Sequence, residues 1–180
     1  MDLNSLLSVQ QSATSGALVA WAAVGNFLAL IILALILFLF CYRVGKGPFV
    51  SLVMALYVGF ALYSVFPYAH VIQKGVGTAP TYVAGVSLVL YAIAVIIPYL
   101  IIRKVSASDF INLSMTAQLV LSVLTAGFLL ALAHHALSLS SLYAYPEPLS
   151  SFFNPPQYFF WWFIAPLAGF LFFTGKSRRH

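Results

Sequence analysis

The sequence predicts an all-α integral membrane bundle of about five transmembrane helices, with its N-terminus outside and its C-terminus inside. Composition is the first observation behind this. Hydrophobic residues make up 63% of the 180 residues and charged residues only 6%, against roughly 45–50% and 25% in a soluble domain. The second is the division of the chain into five apolar blocks, running roughly over residues 17–41, 48–68, 79–102, 114–138 and 158–174. A helix of about 20 residues crosses the hydrocarbon core, and in lipid a helix satisfies its own backbone hydrogen bonds. The third is the placement of the basic residues. Arg43, Lys46, Arg103, Lys104, Lys176, Arg178 and Arg179 follow the first, third and fifth blocks, whereas only Lys74 follows the second. The positive-inside bias places those seven on the cytoplasmic side.

Residues 1–16 read as a polar extracytoplasmic tail. It contains Asp2 but no Lys or Arg, so the positive n-region of a cleaved leader is missing. The bundle is expected over residues 17–174, followed by a basic cytoplasmic tail at 175–180. Block one ends in Cys41, the single cysteine, read as a small hydrophobe at the membrane edge. Block five is the shortest and contains Pro166, which removes a backbone donor. A re-entrant segment is therefore an alternative to a full span there. Trp161 and Trp162 near its outer end and the basic tail at its inner end favour a span, because indole rings and basic groups anchor at the interface.

Close packing joins helices in lipid, and small residues four apart share a helix face. Gly25 with Ala29, Ala55 with Gly59, Gly127 with Ala131 and Ala165 with Gly169 have this spacing. They are expected to line contact faces. The segment Leu142–Gln157 holds four prolines, together with Tyr143, Tyr145, Phe152 and Phe153, and reads as an outer loop lying along the interface.

No block contains Asp, Glu, Lys or Arg, the residues that mark proton relays and ion pathways in membranes. Polar candidates are Asn26, Gln118 and the histidines His70, His134 and His135. Asn26 lies roughly 13 Å below the outer end of its block at 1.5 Å per residue, a depth suited to an interhelical hydrogen bond. The three histidines gather at the outer side with Glu147. Imidazole can ligate metal, but adjacent helical residues diverge by about 100°, so His134 and His135 do not face one ion easily. No cofactor is expected. Asp2 and Asp109 fall on opposite sides, which separates the acids needed for a Ser–His–Asp set. Gly45-Lys46-Gly47 lacks phosphate-loop spacing. The basic residues form no stripe, which excludes nucleic acid as a partner. The expected partners are the bilayer, other membrane proteins or a second copy of the chain.

The turn Tyr42-Arg43-Val44-Gly45-Lys46-Gly47-Pro48 joins two apolar helices through a short basic glycine hairpin. Over residues 20–66 this resembles the first hairpin of the colicin V production family of small bacterial inner-membrane proteins. The fifth block and the proline-rich loop depart from that pattern. The resemblance implies a multi-pass inner-membrane location and a non-enzymatic role in assembly, envelope or export functions. It brings no catalytic residues. A small transporter or channel, acting alone or as an oligomer, is the alternative.

Overall fold

In the computed structural model the described residues are 27–76, 79–105, 113–135, 137 and 156–177. They form six helices and, among them, no strand: α1 Leu28–Val44, α2 Lys46–Val65, α3 Ala69–Val76, α4 Pro80–Val105, α5 Met115–His135 and α6 Pro156–Ser177. Four of these, α2, α4, α5 and α6, are long and apolar enough to cross a membrane. α1 is apolar but has 17 residues. The first ten residues of the block expected at 17–41 lie outside the described residues.

Local chemistry sets the boundaries. α1 runs through Arg43, and α2 begins at Lys46, so one residue, Gly45, makes the entire connection. Its φ of 111° lies in a region that side chains with a Cβ rarely enter. Pro48 lies in the first turn of α2, where a missing N–H removes no helical bond. The expected turn over 42–48 is thus tighter, because Arg43 and Lys46 both sit inside helices. α2 stops at Val65, three residues before the expected Tyr68. Pro67 holds Phe66 in an extended conformation (φ −69°, ψ 109°). The short α3, which the apolar pattern does not reveal, follows. Proline opens α4 and α6 at their first positions, and Ser114 caps α5 by accepting a bond from the Ala117 amide at 3.2 Å. α6 extends from Pro156 to Ser177, longer than 158–174, and takes Lys176 into its last turn.

Contacts fix the directions. Cys41 meets Gln118 and Phe27 packs beside Ala131, so α1 runs antiparallel to α5. Phe49 and Val53 join Leu113, Ala117 and Leu121 in one cluster, while Leu56 joins Phe128 and Leu132 in a second. α2 is therefore parallel to α5. Tyr63 meets Tyr91 edge-on and Gly59 lies against Val95, which makes α4 antiparallel to α2. Gly127 faces Trp162 and Gly169 faces Leu121, which makes α6 antiparallel to α5. One end of the bundle consequently gathers Arg43, Lys46, Arg103 and Lys104, together with the backbone of Lys176. The opposite end carries α3 and the histidine pair of α5.

α5 is the central helix: 56% of its spanning stretch is buried, against 33% or less for the other three long helices. Small residues allow this. A Cβ on Gly127 would collide with the Trp162 ring, so the indole lies directly on the α5 backbone. Trp162 therefore differs from its expected interfacial place, while Trp161 stays exposed. A Cβ on Gly59 would come within 3.0 Å of the Val95 Cα, and on Gly169 within 3.0 Å of the Leu121 and Leu124 side chains. Ala131 is fully buried among Phe27, Leu130, Phe159 and Trp162. Gly25 lies outside the described residues. The remaining surface is rich in exposed Leu, Ile and Val, including Ile93, Ile97 and Ile101 of α4.

Gly127→Leu is expected to destabilise the detergent-solubilised protein by more than Leu129→Ala, whose truncation costs roughly 2 kcal/mol or somewhat more. Trp162→Ala should recover part of the Gly127→Leu loss by removing the colliding ring. Equal melting temperatures for the two single variants would refute this contact.

Candidate functional site

Two tyrosine hydroxyls and a group of aromatic rings inside the bundle converge at mid-depth on the turn Leu56–Gly59 of α2. The Tyr57 hydroxyl donates to the Phe163 carbonyl of α6 at 2.6 Å, and the Tyr91 hydroxyl of α4 donates to the Leu56 carbonyl at 3.1 Å. Adjacent residues of α2 thereby hold two different helices. Around Tyr57 the rings close up. Phe128 stacks at 4.8 Å between centroids and 7° between planes, and Phe163 meets it edge-on at 4.9 Å. Phe60 and Phe159 extend the cluster toward the α3 end. Each such pair adds about 0.5–1.5 kcal/mol beyond its buried area.

Both internal prolines act at this level. A proline cannot bond the carbonyl four residues earlier, which is Ala94 for Pro98 and Trp162 for Pro166. Gly59 brings its backbone to the Ala94 carbonyl: a Cβ there would sit 3.1 Å from that oxygen. The Tyr57 hydroxyl serves the carbonyl next to Trp162. A neighbouring helix thus lies close to each proline site: the Gly59 backbone beside the Ala94 carbonyl, and the Tyr57 hydroxyl on the carbonyl that follows Trp162.

A second polar seam lies nearer the basic end. The Cys41 thiol donates toward the Gln118 Oε1 at 3.7 Å, and the Gln118 amide nitrogen donates to the Leu113 carbonyl at 3.2 Å. Ser122 and Thr125 return their hydroxyls to the carbonyls of Gln118 and Leu121. Cys41 is buried at 2% exposure, so it belongs to the α1–α5 contact. At the other end, Gln73 of α3 donates to the Ser87 hydroxyl at 2.9 Å, and Ser87 donates to the Val83 carbonyl.

The expected site residues are scattered relative to these seams. Asn26, Arg178 and Arg179 lie outside the described residues. His70 is placed by its backbone in α3. His134 and His135 occupy the last turn of α5, with ring centroids 5.1 Å apart and planes at 86°, and the His135 ring lies 5.3 Å from Phe159. Among the described residues no group of three His, Cys, Asp or Glu side chains could hold a metal ion. Sequence reasoning missed Tyr57 and Tyr91. Their signal is legible afterwards: tyrosine belongs at the interface, so a tyrosine in mid-span needs a bonding partner on another helix.

Comparison with protein-family models, with curated proteins and with solved structures finds no match to this chain.

Tyr57→Phe and Tyr91→Phe keep each ring and delete one interhelical bond, so each is expected to cost about 1 kcal/mol in a reversible unfolding titration in mixed micelles. Tyr57→Ala also removes the ring contacts and should cost about 3 kcal/mol or more. Equal losses for Tyr57→Phe and Tyr57→Ala would show that the ring packing contributes nothing. A separate expectation concerns the histidines. The triple replacement of His70, His134 and His135 by Gln keeps hydrogen-bonding capacity and should leave the metal content and absorption spectrum unchanged. Stoichiometric metal lost in that variant would reverse this expectation.

Proposed function

We propose that this chain is a multi-pass protein of the plasma or bacterial inner membrane, N-terminus out and C-terminus in, that acts as a non-enzymatic component of a membrane assembly. One observation carries the reading. The hydroxyl, thiol and amide groups of Tyr57, Tyr91, Cys41 and Gln118 bond helix backbones or one another, and the clefts beside Leu62 and Leu90 and beside Leu56 and Leu129 are walled almost wholly by hydrocarbon. A bundle built this way presents shape and apolar surface to its surroundings. It suits association within the bilayer better than chemistry on a polar substrate. The antiparallel order of the long helices and the basic residues collected at one end support the orientation. The likeness of the Tyr42–Pro48 turn to the colicin V production family supports an envelope or export context.

Two proline-opened helices at one depth favour a second reading, a small transporter or channel, because interrupted helices often mark the moving parts of transporters. Purification of the tagged full chain in mild detergent separates the two. A stoichiometric membrane-protein partner is expected for the assembly component. A partner-free protein that moves a solute across proteoliposomes would support the transporter.

Orientation is tested independently. A reporter active only in the cytoplasm should give signal when fused at Arg179 and none when fused after Pro148. The reverse pattern would overturn the orientation, and silence at both points would favour a re-entrant α6.

A further inference from the structure

α4 packs on α2 and α3 and makes no comparable contact with α1 or α5. Between its free flank and the α1–α5 pair lies a cleft of about 390 Å³. Leu33 of α1 and Leu56 of α2 form its floor, with Leu88 and Ile96 of α4 on one side and Leu129 and Ala133 of α5 on the other. Eleven of its twelve lining residues are aliphatic. The twelfth, Tyr91, already donates its hydroxyl to the Leu56 carbonyl.

We propose that this cleft binds one acyl chain of a bilayer phospholipid, from the leaflet at the α3 end of the bundle. The inference rests on the membrane-embedded reading above. Its first support is chemical: the one lining hydroxyl is already bonded within the bundle, so hydrocarbon is the matching occupant. The second is capacity. An apolar cavity of about 150 Å³ accommodates benzene, and at that density this cleft accommodates on the order of fifteen carbon atoms.

Reach is the third support. The cleft extends from Leu137, at the outer end of α5, down to Leu56 and Val95 in the middle of the bundle. Leu88 to Ile96 alone rises about 12 Å, close to the half-thickness of roughly 15 Å that one leaflet's chains occupy. The fourth is wall texture. Partner helices need Gly, Ala or Ser for close backbone approach. This cleft is lined mainly by long leucines, which suit a thin flexible chain. Leu88 and Ile96 are 47% and 53% exposed at its mouth, so a chain can enter sideways from the leaflet.

The test uses the tagged full chain taken from salt- and carbonate-washed membranes. Recovery from that fraction examines the membrane reading separately. The protein is then extracted in mild detergent and its bound lipid measured by native mass spectrometry. The expected result is one phospholipid retained per chain. Ala133→Phe and Ala92→Phe fill the cleft from opposite walls, and each should lower retention at least fivefold. Ile101→Phe, exposed on α4 outside the cleft, should leave it unchanged. A single elution peak shows that a variant is folded, and either wall variant alone suffices if the other is not. Absence of retained phospholipid from the unmodified protein would overturn the site. So would equal retention in the wall variants, or a partner polypeptide bound in place of lipid.

Discussion

The membrane bundle proposed above depends on a constraint that water normally relieves: in hydrocarbon, every polar group, side-chain hydroxyls included, must find its partner within the protein. At the middle of α2 this constraint becomes an architectural joint. Leu56 offers its carbonyl to Tyr91 of α4, and Tyr57 sends its hydroxyl to the Phe163 carbonyl of α6. These bonds are modest, about 0.6 kcal/mol on average between membrane helices and at most about 1.7. Their value is directional. Apolar packing alone tolerates rotation of a helix about its axis, whereas two bonds from successive residues leave α2 one rotational setting between its neighbours.

Proline placement follows from the same constraint. Pro98 and Pro166 would each leave a carbonyl without its helical donor, yet their openings face the Leu56–Gly59 turn, where another helix lies close. Glycine makes the approach possible at Gly59 and, on the opposite side of the bundle, under Trp162 at Gly127. Burial of α5 follows. A helix in contact with α1, α2 and α6 must be narrow on several faces, and the run Ser122, Thr125, Ala126, Gly127 and Ala131 supplies that narrowness.

Much of this architecture was legible in the sequence because it depends on length and hydropathy. The positions of α2, α4, α5 and α6 follow from apolar blocks, proline and serine starts, and basic ends. The small-residue spacing pointed at Gly59, Gly127, Ala131 and Gly169, which lie at helix contacts in the fold. What escaped detection depends on rotation and not on composition. In a uniformly apolar helix no stripe distinguishes inside from outside, so nothing indicated that Trp162 turns inward, that Cys41 faces Gln118, or that Tyr57 and Tyr91 are joints. α3 escaped for a different reason: eight residues with mixed polarity resemble a loop. The lateral cleft was invisible because it arises where α4 and α5 lack the close packing that α4 makes with α2, and a loose contact leaves no trace in sequence.

For the membrane-embedded bundle proposed above, Gly45 carries a final consequence for depth in the bilayer. With a single residue joining α1 to α2 there is no slack, so the two helices must rise or sink along the membrane normal together. Arg43 and Lys46 lie within two residues of it, and drawing either toward the hydrocarbon centre would cost up to about 2.5–3.5 kcal/mol per charge. Pushing the hairpin the other way would strip Phe49 and Val53 from their buried cluster. The one-residue turn therefore acts as a depth stop. It ties the vertical position of α1 and α2, and through them the Leu56–Tyr57 joint, to the surface of the membrane.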